Sequence, residues 1–290
     1  MGTENRRCSV AEKLRIEHID NRSEGKTTLR QCQLVQLHLL HVFDAICRKL
    51  GLTYFLCGGS ALGAARHKGF IPWDDDLDVG MPKADYRKFL KLAMEFLPES
   101  VEIQTPENSP RTARPFSKLR DRSSFYGECR CDVPSSDPSG IYIDIFVYEE
   151  LPEIGYGAQK FFVKACASFW QRKRYFLNKC SEGIFRCLVS LPMAILSLVC
   201  YFIVKSVLRV LTALLPRKST FMSVENGYVH RHSTADIYPL GMARFEDAEF
   251  PVPGNLDGFL TSQYGNWREI PPPDKRPRHA VLIDPLNPVK

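Results

Sequence analysis

The chain has 290 residues, 44% of them hydrophobic and 25% charged, and carries a formal net charge of +6. That length and apolar content suffice for a full core, which excludes a disordered chain, and no repeat period or low-complexity tract points to a solenoid or fibre. The basic excess clusters around one hydrophobic stretch and the chain ends, without any groove- or base-reading motif, so nucleic acid is not the expected partner.

Residues 1–28 are polar, without apolar periodicity, and read as a mobile arm; Arg6-Arg7 is followed by no apolar run, so no secretory signal is expected. From Leu29 to Leu50, Leu34, Leu37, Leu40, Val42, Ala45 and Ile46 recur near helical spacing, and Gly51 supplies a stop. Leu52 to Cys57 reads as a short strand, followed by the turn Gly58-Gly59-Ser60 and a helix start from Ala61 to Arg66. Glycines at such a turn let backbone N–H groups approach an anion, and the helix N-terminus adds favourable partial charge.

Next comes Trp73-Asp74-Asp75-Asp76-Leu77-Asp78-Val79-Gly80, four carboxylates within five residues. In an extended strand Asp74, Asp76 and Asp78 line one face, while Asp75 and Leu77 point to the other. Three like charges on one face repel and call for a divalent cation with oxygen ligands, Mg²⁺ or Mn²⁺; the plain alternative is a solvated Asp-rich turn. Lys83 to Phe96 reads as a helix with Pro98 just beyond it, and Gln104 to Pro138 as a loop-dominated wall rich in Pro, Ser, Arg and Asp. In Gly140 to Val147 a β-branched and aromatic run carries one carboxylate, Asp144, whose burial asks for a partner such as a shared metal.

Between Arg186 and Lys205 no residue is charged, and the apolar run Cys187 to Val204 reaches the threshold length of a membrane span. A single crossing would separate the aspartates from the basic C-terminal segment. An interfacial helix, or a pair of helices that dips in and returns, keeps both on one side, with Pro192 kinking or restarting the helix. Basic flanks, Arg172 to Arg186 before and Lys205 to Lys218 after, favour peripheral membrane contact through 184–215; a buried core helix is the alternative. The ten cysteines are scattered, with only Cys129 and Cys131 closely spaced, so reduced thiols and a cytosolic compartment are expected.

Taken in order, a Gly-Ser turn, an Asp-x-Asp and a third Asp on a neighbouring strand resemble the nucleotidyltransferase superfamily related to polymerase beta. The narrower resemblance is to the LicD/fukutin phosphotransferases, carried by Tyr54 to Phe89 with Arg66-His67-Lys68-Gly69-Phe70-Ile71-Pro72-Trp73 before the aspartates, by Phe116 to Asp121, by Tyr142 to Phe146, and by Tyr264-Gly265-Asn266-Trp267, Pro272 to Arg276 and His279. These motifs span about residues 30 to 280. The implied architecture is α+β, a nucleotidyltransferase-like mixed sheet flanked by helices, with residues 29–290 as one catalytic domain interrupted by a helical insertion over 155–225.

The resemblance implies a transferase that moves a phosphorylated alcohol, such as phosphocholine or ribitol phosphate, from a CDP-activated donor to a sugar hydroxyl of a cell-surface glycan or its lipid-linked precursor, releasing CMP. Asp74, Asp76, Asp78 and Asp144 are the expected metal ligands. Asp76, Asp78 and Asp144 are the expected catalytic carboxylates, with Asp144 placed to accept the attacking hydroxyl's proton. Gly59, Ser60, Arg66, Lys118, Arg120, Lys275, Arg276 and His279 are the expected substrate-binding residues, and Trp73 and Tyr142 either shape the base or sugar pocket or belong to the core. The expected location is cytoplasmic, peripheral at the inner face of the membrane. A nucleotidyltransferase moving NMP from an NTP and a catalytically silent membrane-attached scaffold are the alternatives.

Overall fold

The computed structural model describes residues 18–109, 115–128, 138–222, 224, 227–276 and 279–288. Helix α1 (Thr28–Leu50) starts where the Thr27 side chain accepts the Arg30 N–H, and it ends at Gly51, whose φ of 61° suits a residue without a Cβ. Its apolar stripe, including Leu34, Leu37, Leu40, Phe43 and Ile46, is buried in the main core. Strand β1 (Phe55–Leu56) leads into α2 (Gly58–His67), followed by β2 (Asp78–Pro82) and α3 (Lys83–Leu92). The helix expected to run to Phe96 becomes a 3₁₀ turn at Ala93–Glu95.

Strands β3 (Val101–Gln104), β4 (Ser117–Asp121), β5 (Phe125–Glu128) and β6 (Tyr142–Leu151) complete the first half of the fold. The main sheet runs β1-β2-β6-β4-β3 and is mixed: β2 and β6 are parallel, the other pairs antiparallel. The ten-residue β6 is its spine, buried along nearly its whole length. On the side away from β2, β4 pairs with its first half and β7 (Ser219–Met222) with its second. The stretch read as a loop-dominated wall therefore contains a fully buried strand, β4; its segments 110–114 and 129–137, with Cys129 and Cys131, lie outside the described residues.

Helices α4 (Tyr156–Ser181) and α5 (Ile184–Leu214) form an antiparallel hairpin joined by a two-residue turn. At about 1.5 Å per residue α5 is roughly 46 Å long, and it continues through Pro192 rather than restarting there. A small cluster of Leu151, Val163, Cys166, Leu208 and Val224 anchors the base of the hairpin to the sheet. At the far end Cys180 and Cys187 form a disulfide, which corrects the expectation that every thiol is reduced; Cys32, Cys47, Cys57 and Cys166 are buried and outside that disulfide. After β7 come β8 (Arg231–Ser233), the short α6 (Thr234–Ile237), the hairpin β9 (Gly241–Phe245) and β10 (Ala248–Val252), α7 (Leu256–Tyr264) and β11 (Ala280–Asp284), which pairs with β5.

The C-terminal end of the segment read as an arm is tied to the fold. Residues 1–17 lie outside the described part, but Arg22 already makes two 2.8 Å bonds to the buried Asp121 carboxylate, and His18 lies against His41 and Asp247. A bidentate guanidinium–carboxylate pair inside the fold holds that segment in place.

Candidate active site

Helix α2 opens at Cys57 without a side-chain cap, so its first N–H groups are left for other acceptors. Gly58 has φ +53°, and a Cβ there would lie 2.3 Å from Asp78 Oδ2; one on Gly59 would lie 2.8 Å from Asp74 Oδ2 and 4.0 Å from Asp76 Oδ1. The two glycines are thus the surface against which three carboxylates are drawn together. Ser60 fixes the entry into β2, its Oγ accepting the Asp78 N–H at 2.7 Å, while the Gly59 N–H points at Asp78 Oδ2 from 3.4 Å.

Only Asp78 of these carboxylates stands on a strand. The expectation of an extended strand through all four is corrected: residues 74–77 form a loop before β2. Asp74, Asp76 and Asp78 lie toward α2 and Leu77 is buried, but Asp75 is not set apart from them as strand alternation would require: its carboxylate, that of Asp74 and the His279 ring lie within 4.8 Å of one another. Two glutamines of α1 pin this loop. Gln33 Nε2 donates to Asp74 O at 3.0 Å, and Gln36 Nε2 donates to Asp75 O at 2.8 Å and to Tyr142 O at 3.2 Å, tying the loop to β6.

Because β2 and β6 are parallel and in register, Asp78 stands directly beside Asp144. Across the antiparallel β4 pairing, Lys118 is in register with Asp144 from the other side, and its Nζ lies 3.1 Å from Asp144 Oδ1 and 3.2 Å from the centre of the Tyr142 ring. One buried cation and four acidic groups leave the site short of positive charge. Burial, then Asp76, raise the Asp74 carboxyl to about 8, and burial followed by Asp76, Asp144 and Asp74 raises Asp78 well above the carboxylate range. Oxygen donors gathered on one side of a glycine-lined helix start, with Asp74 and Asp78 destabilised as anions by burial and their neighbours, fit Mg²⁺ or Mn²⁺.

Asp75 does a different job. It accepts from the His279 ring at 2.9 Å, from the His279 N–H at 3.3 Å and from the Ala280 N–H at 3.0 Å, binding a segment 204 residues away onto the aspartate loop. Burial opposes its charge, yet the bonds from His279 and Ala280 prevail and hold Asp75 below its ordinary range. In return, the hydrogen bond to Asp75 raises His279 to about 9 despite partial burial, and this cation also lies 3.5 Å from Asp76 Oδ2. His279 therefore completes the site from the C-terminal end.

The remaining expected cations separate into different positions. Arg120 is buried and spent on the fold, donating to Gln104 Oε1 at 2.8 Å and to Gly140 O at 2.6 Å. Arg66 holds the loop after α7 through Trp267 O at 3.2 Å and Glu269 O at 3.3 Å. Arg276 stacks 3.9 Å over the Trp73 ring, at the margin of the aspartate loop. Lys275 is exposed on a 3₁₀ turn, and Tyr142 belongs to the core. Gln33, Gln36 and Asp75 are the functional positions that sequence reasoning missed. The available signal was a pair of amides three residues apart inside the leucine-rich stripe of α1.

Residues 51–178 match the family model described as LicD/FKTN/FKRP, nucleotidyltransferase domain. The chain is 27% identical over 272 residues, 88% of its own length and 97% of the relative's, to the lipopolysaccharide cholinephosphotransferase LicD of Haemophilus influenzae. A stretch of 31 residues, 11% of the chain and 6% of the relative, is 61% identical to the ribitol 5-phosphate transferase FKRP of Homo sapiens. Another of 64 residues, 22% of each chain, is 49% identical to the uncharacterized protein RP689 of Rickettsia prowazekii.

Proposed function

The chain belongs to the LicD/FKTN family, and from that premise we propose that it is a phosphotransferase that moves a phosphorylated alcohol onto a glycan. The finer reading is a CDP-activated donor, a sugar hydroxyl of a cell-surface glycan or its lipid-linked precursor as acceptor, and CMP as leaving product. The observation that carries it is the convergence of Asp74, Asp76, Asp78 and Asp144 on the bare N-terminus of α2, with Lys118 and His279 as the flanking cations. The mixed sheet with in-register aspartates on adjacent parallel strands is assigned to the nucleotidyltransferase-like class on the same grounds.

Mg²⁺ or Mn²⁺ held by the four aspartates would neutralise the donor's phosphates and the charge developing on the leaving CMP oxygen. The chain's own groups act around it. The start of α2, whose Gly59 N–H is directed at Asp78 Oδ2 here, faces a phosphate oxygen, Lys118 beside Asp144 and His279 beside Asp75 and Asp76 bring positive charge, and Asp144 takes the proton of the attacking hydroxyl. Arg276 stacked on Trp73 forms a cationic, aromatic edge suited to the donor's base or alcohol.

We further place the protein in the cytoplasm, peripheral at the inner face of the membrane. By length and composition α5 is apolar enough to cross a bilayer, and nearly all of it is exposed, including Phe185, Leu188, Ile195, Phe202 and Ile203. Because α4 and α5 return to the same sheet, contact by the hairpin leaves Asp144 before it and His279 after it on one side.

Calorimetric titration with CDP, CTP, CDP-choline and CDP-ribitol, each with and without Mn²⁺, tests the reaction. The expected result is Mn²⁺-dependent binding that is tighter for one CDP-alcohol than for CDP. Binding of CTP alone would replace the proposal with nucleotidyl transfer, and no binding of any nucleotide would leave a scaffold.

A further inference from the structure

A second cavity, of about 740 Å³, opens between α3, the far end of β6 and the base of the α4–α5 hairpin. It is not the site described above. Its nearest lining residue on β6, Val147, is three residues from Asp144, so the cavity begins about 10 Å along the strand from the aspartates. Its walls carry Lys83, Arg87, Arg209 and Arg217 together with Trp170 and Tyr201, a combination the transfer reaction does not use.

The charges do not cancel. Three carboxylates line it against five cations: Glu149 is taken by Lys83 at 2.5 Å and lies 3.9 Å from Lys205, Glu150 lies 3.9 Å from Arg217, and Glu107 stands exposed on the loop after β3. Arg87 and Arg209 line the same cavity, are exposed, and form no ion pair among the described residues. One wall is α5 itself, contributed by Tyr201, Phe202, Lys205, Leu208 and Arg209, so the cationic cavity is continuous with the exposed apolar face of that helix. An anion held by the two arginines would have apolar surface leading directly away from it, and indole and phenol rings stand at the boundary, where amphipathic aromatics are favoured.

We propose that this cavity binds the phosphate headgroup of an anionic membrane lipid, with Arg87 and Arg209 on the phosphate and the acyl chains along α5. Charge complementarity selects an anionic lipid, and continuity with α5 selects a lipid over a free phosphate. The inference takes from the proposed function only that α5 faces a bilayer.

The test is calorimetric titration of the full chain with dihexanoyl phosphatidylglycerol below its micelle threshold, against dihexanoyl phosphatidylcholine and inorganic phosphate. Saturable 1:1 binding of the anionic lipid is expected, about tenfold or more tighter than either competitor. Arg87→Ala/Arg209→Ala should weaken it about tenfold, whereas Lys160→Ala/Lys164→Ala, which removes equal charge from α4 outside the cavity, should change it less than about twofold. Equal losses in the two double variants would reduce the effect to diffuse charge and overturn the proposal. So would inorganic phosphate binding as tightly as the lipid, or no lipid binding. The titration needs neither turnover nor vesicles, so it reports on the cavity whatever becomes of the transfer reaction or of membrane attachment.

Discussion

Gly59→Ala should separate stability from activity. Gly59 lies in the first turn of α2 without a positive φ, so alanine fits its backbone and removes a helix penalty of about 0.5–1 kcal/mol. Against that gain, the new Cβ would stand 2.8 Å from Asp74 Oδ2. Asp74 sits in a loop and can swing aside, at an off-rotamer cost of about 0.5–1.5 kcal/mol. The two nearly cancel, and the urea midpoint should move by no more than the equivalent of about 1 kcal/mol. The site gains nothing in exchange: an Asp74 oxygen is displaced and the helix start loses its bare approach, so turnover should fall about 100-fold or more, the scale set by an ångström of misplacement. Gly58→Ala is the contrasting case, since its φ of +53° adds about 1–2 kcal/mol of backbone strain and its Cβ meets Asp78 at 2.3 Å; it should lose both stability and activity. Urea unfolding, Mn²⁺ titration and initial rates with the CDP-alcohol donor read the three quantities. Wild-type turnover and Mn²⁺ affinity in Gly59→Ala would refute the placement of the anion and metal site at this helix start.

Asp76→Asn should abolish turnover while leaving the fold as stable or slightly more so in metal-free buffer, because it relieves repulsion on Asp74 and Asp78; a lower melting temperature there would contradict the charge argument. His232, fully buried against the Phe259 ring and hydrogen-bonded to Ser262 at 2.7 Å, is depressed to about 4 by burial and His230. The unfolded chain then binds the extra proton first, so stability present above pH 6.5 should drop by about 3 kcal/mol between pH 6.5 and 4, and His232→Phe should flatten that slope in chemical denaturation. Replacing alternate apolar residues of 187–204 with serine should release the protein from vesicles in a flotation assay; unchanged flotation would remove α5 from the membrane. Alkylation of lysates should find Cys180 and Cys187 as thiols if the protein works in the cytoplasm, and a bonded pair in freshly lysed cells would argue against that location.

Local pattern made much of this fold legible. The leucine spacing of α1, the stop at Gly51, the β-branched run around Asp144 and the uncharged length of α5 each belong to one element, and each stands where its periodicity indicates. The alternation of the aspartates holds only for Asp74, Asp76 and Asp78, because the segment is a loop rather than a strand and leaves Asp75 within 4.8 Å of Asp74. The basic residues were less readable, because a guanidinium looks the same in sequence whether it meets a phosphate or the chain's own carbonyl groups. Lys118 and Arg120 are two positions apart on β4, yet one reaches Asp144 and the other is consumed by Gln104 and Gly140. Which partner wins depends on strand register, and register was not available from spacing alone. The β9–β10 hairpin gave no turn signal at all, since its positive-φ position is Glu246 rather than glycine or asparagine.

Asp75 shows why the aspartate run is four residues rich rather than three. Asp74, Asp76 and Asp78 face the anion side, where their repulsion is useful only once a cation shares it. Asp75 accepts three bonds from the C-terminal segment and keeps His279 protonated beside Asp76 and close to Asp74. Bonds to a charged acceptor of this kind contribute about 1.5–3 kcal/mol each, enough to hold a short strand that, among the described residues, pairs with β5 alone. One loop therefore gathers negative charge and draws in the cation that tempers it. The fold closes on its C-terminal segment and the site gains its second cation in the same contact.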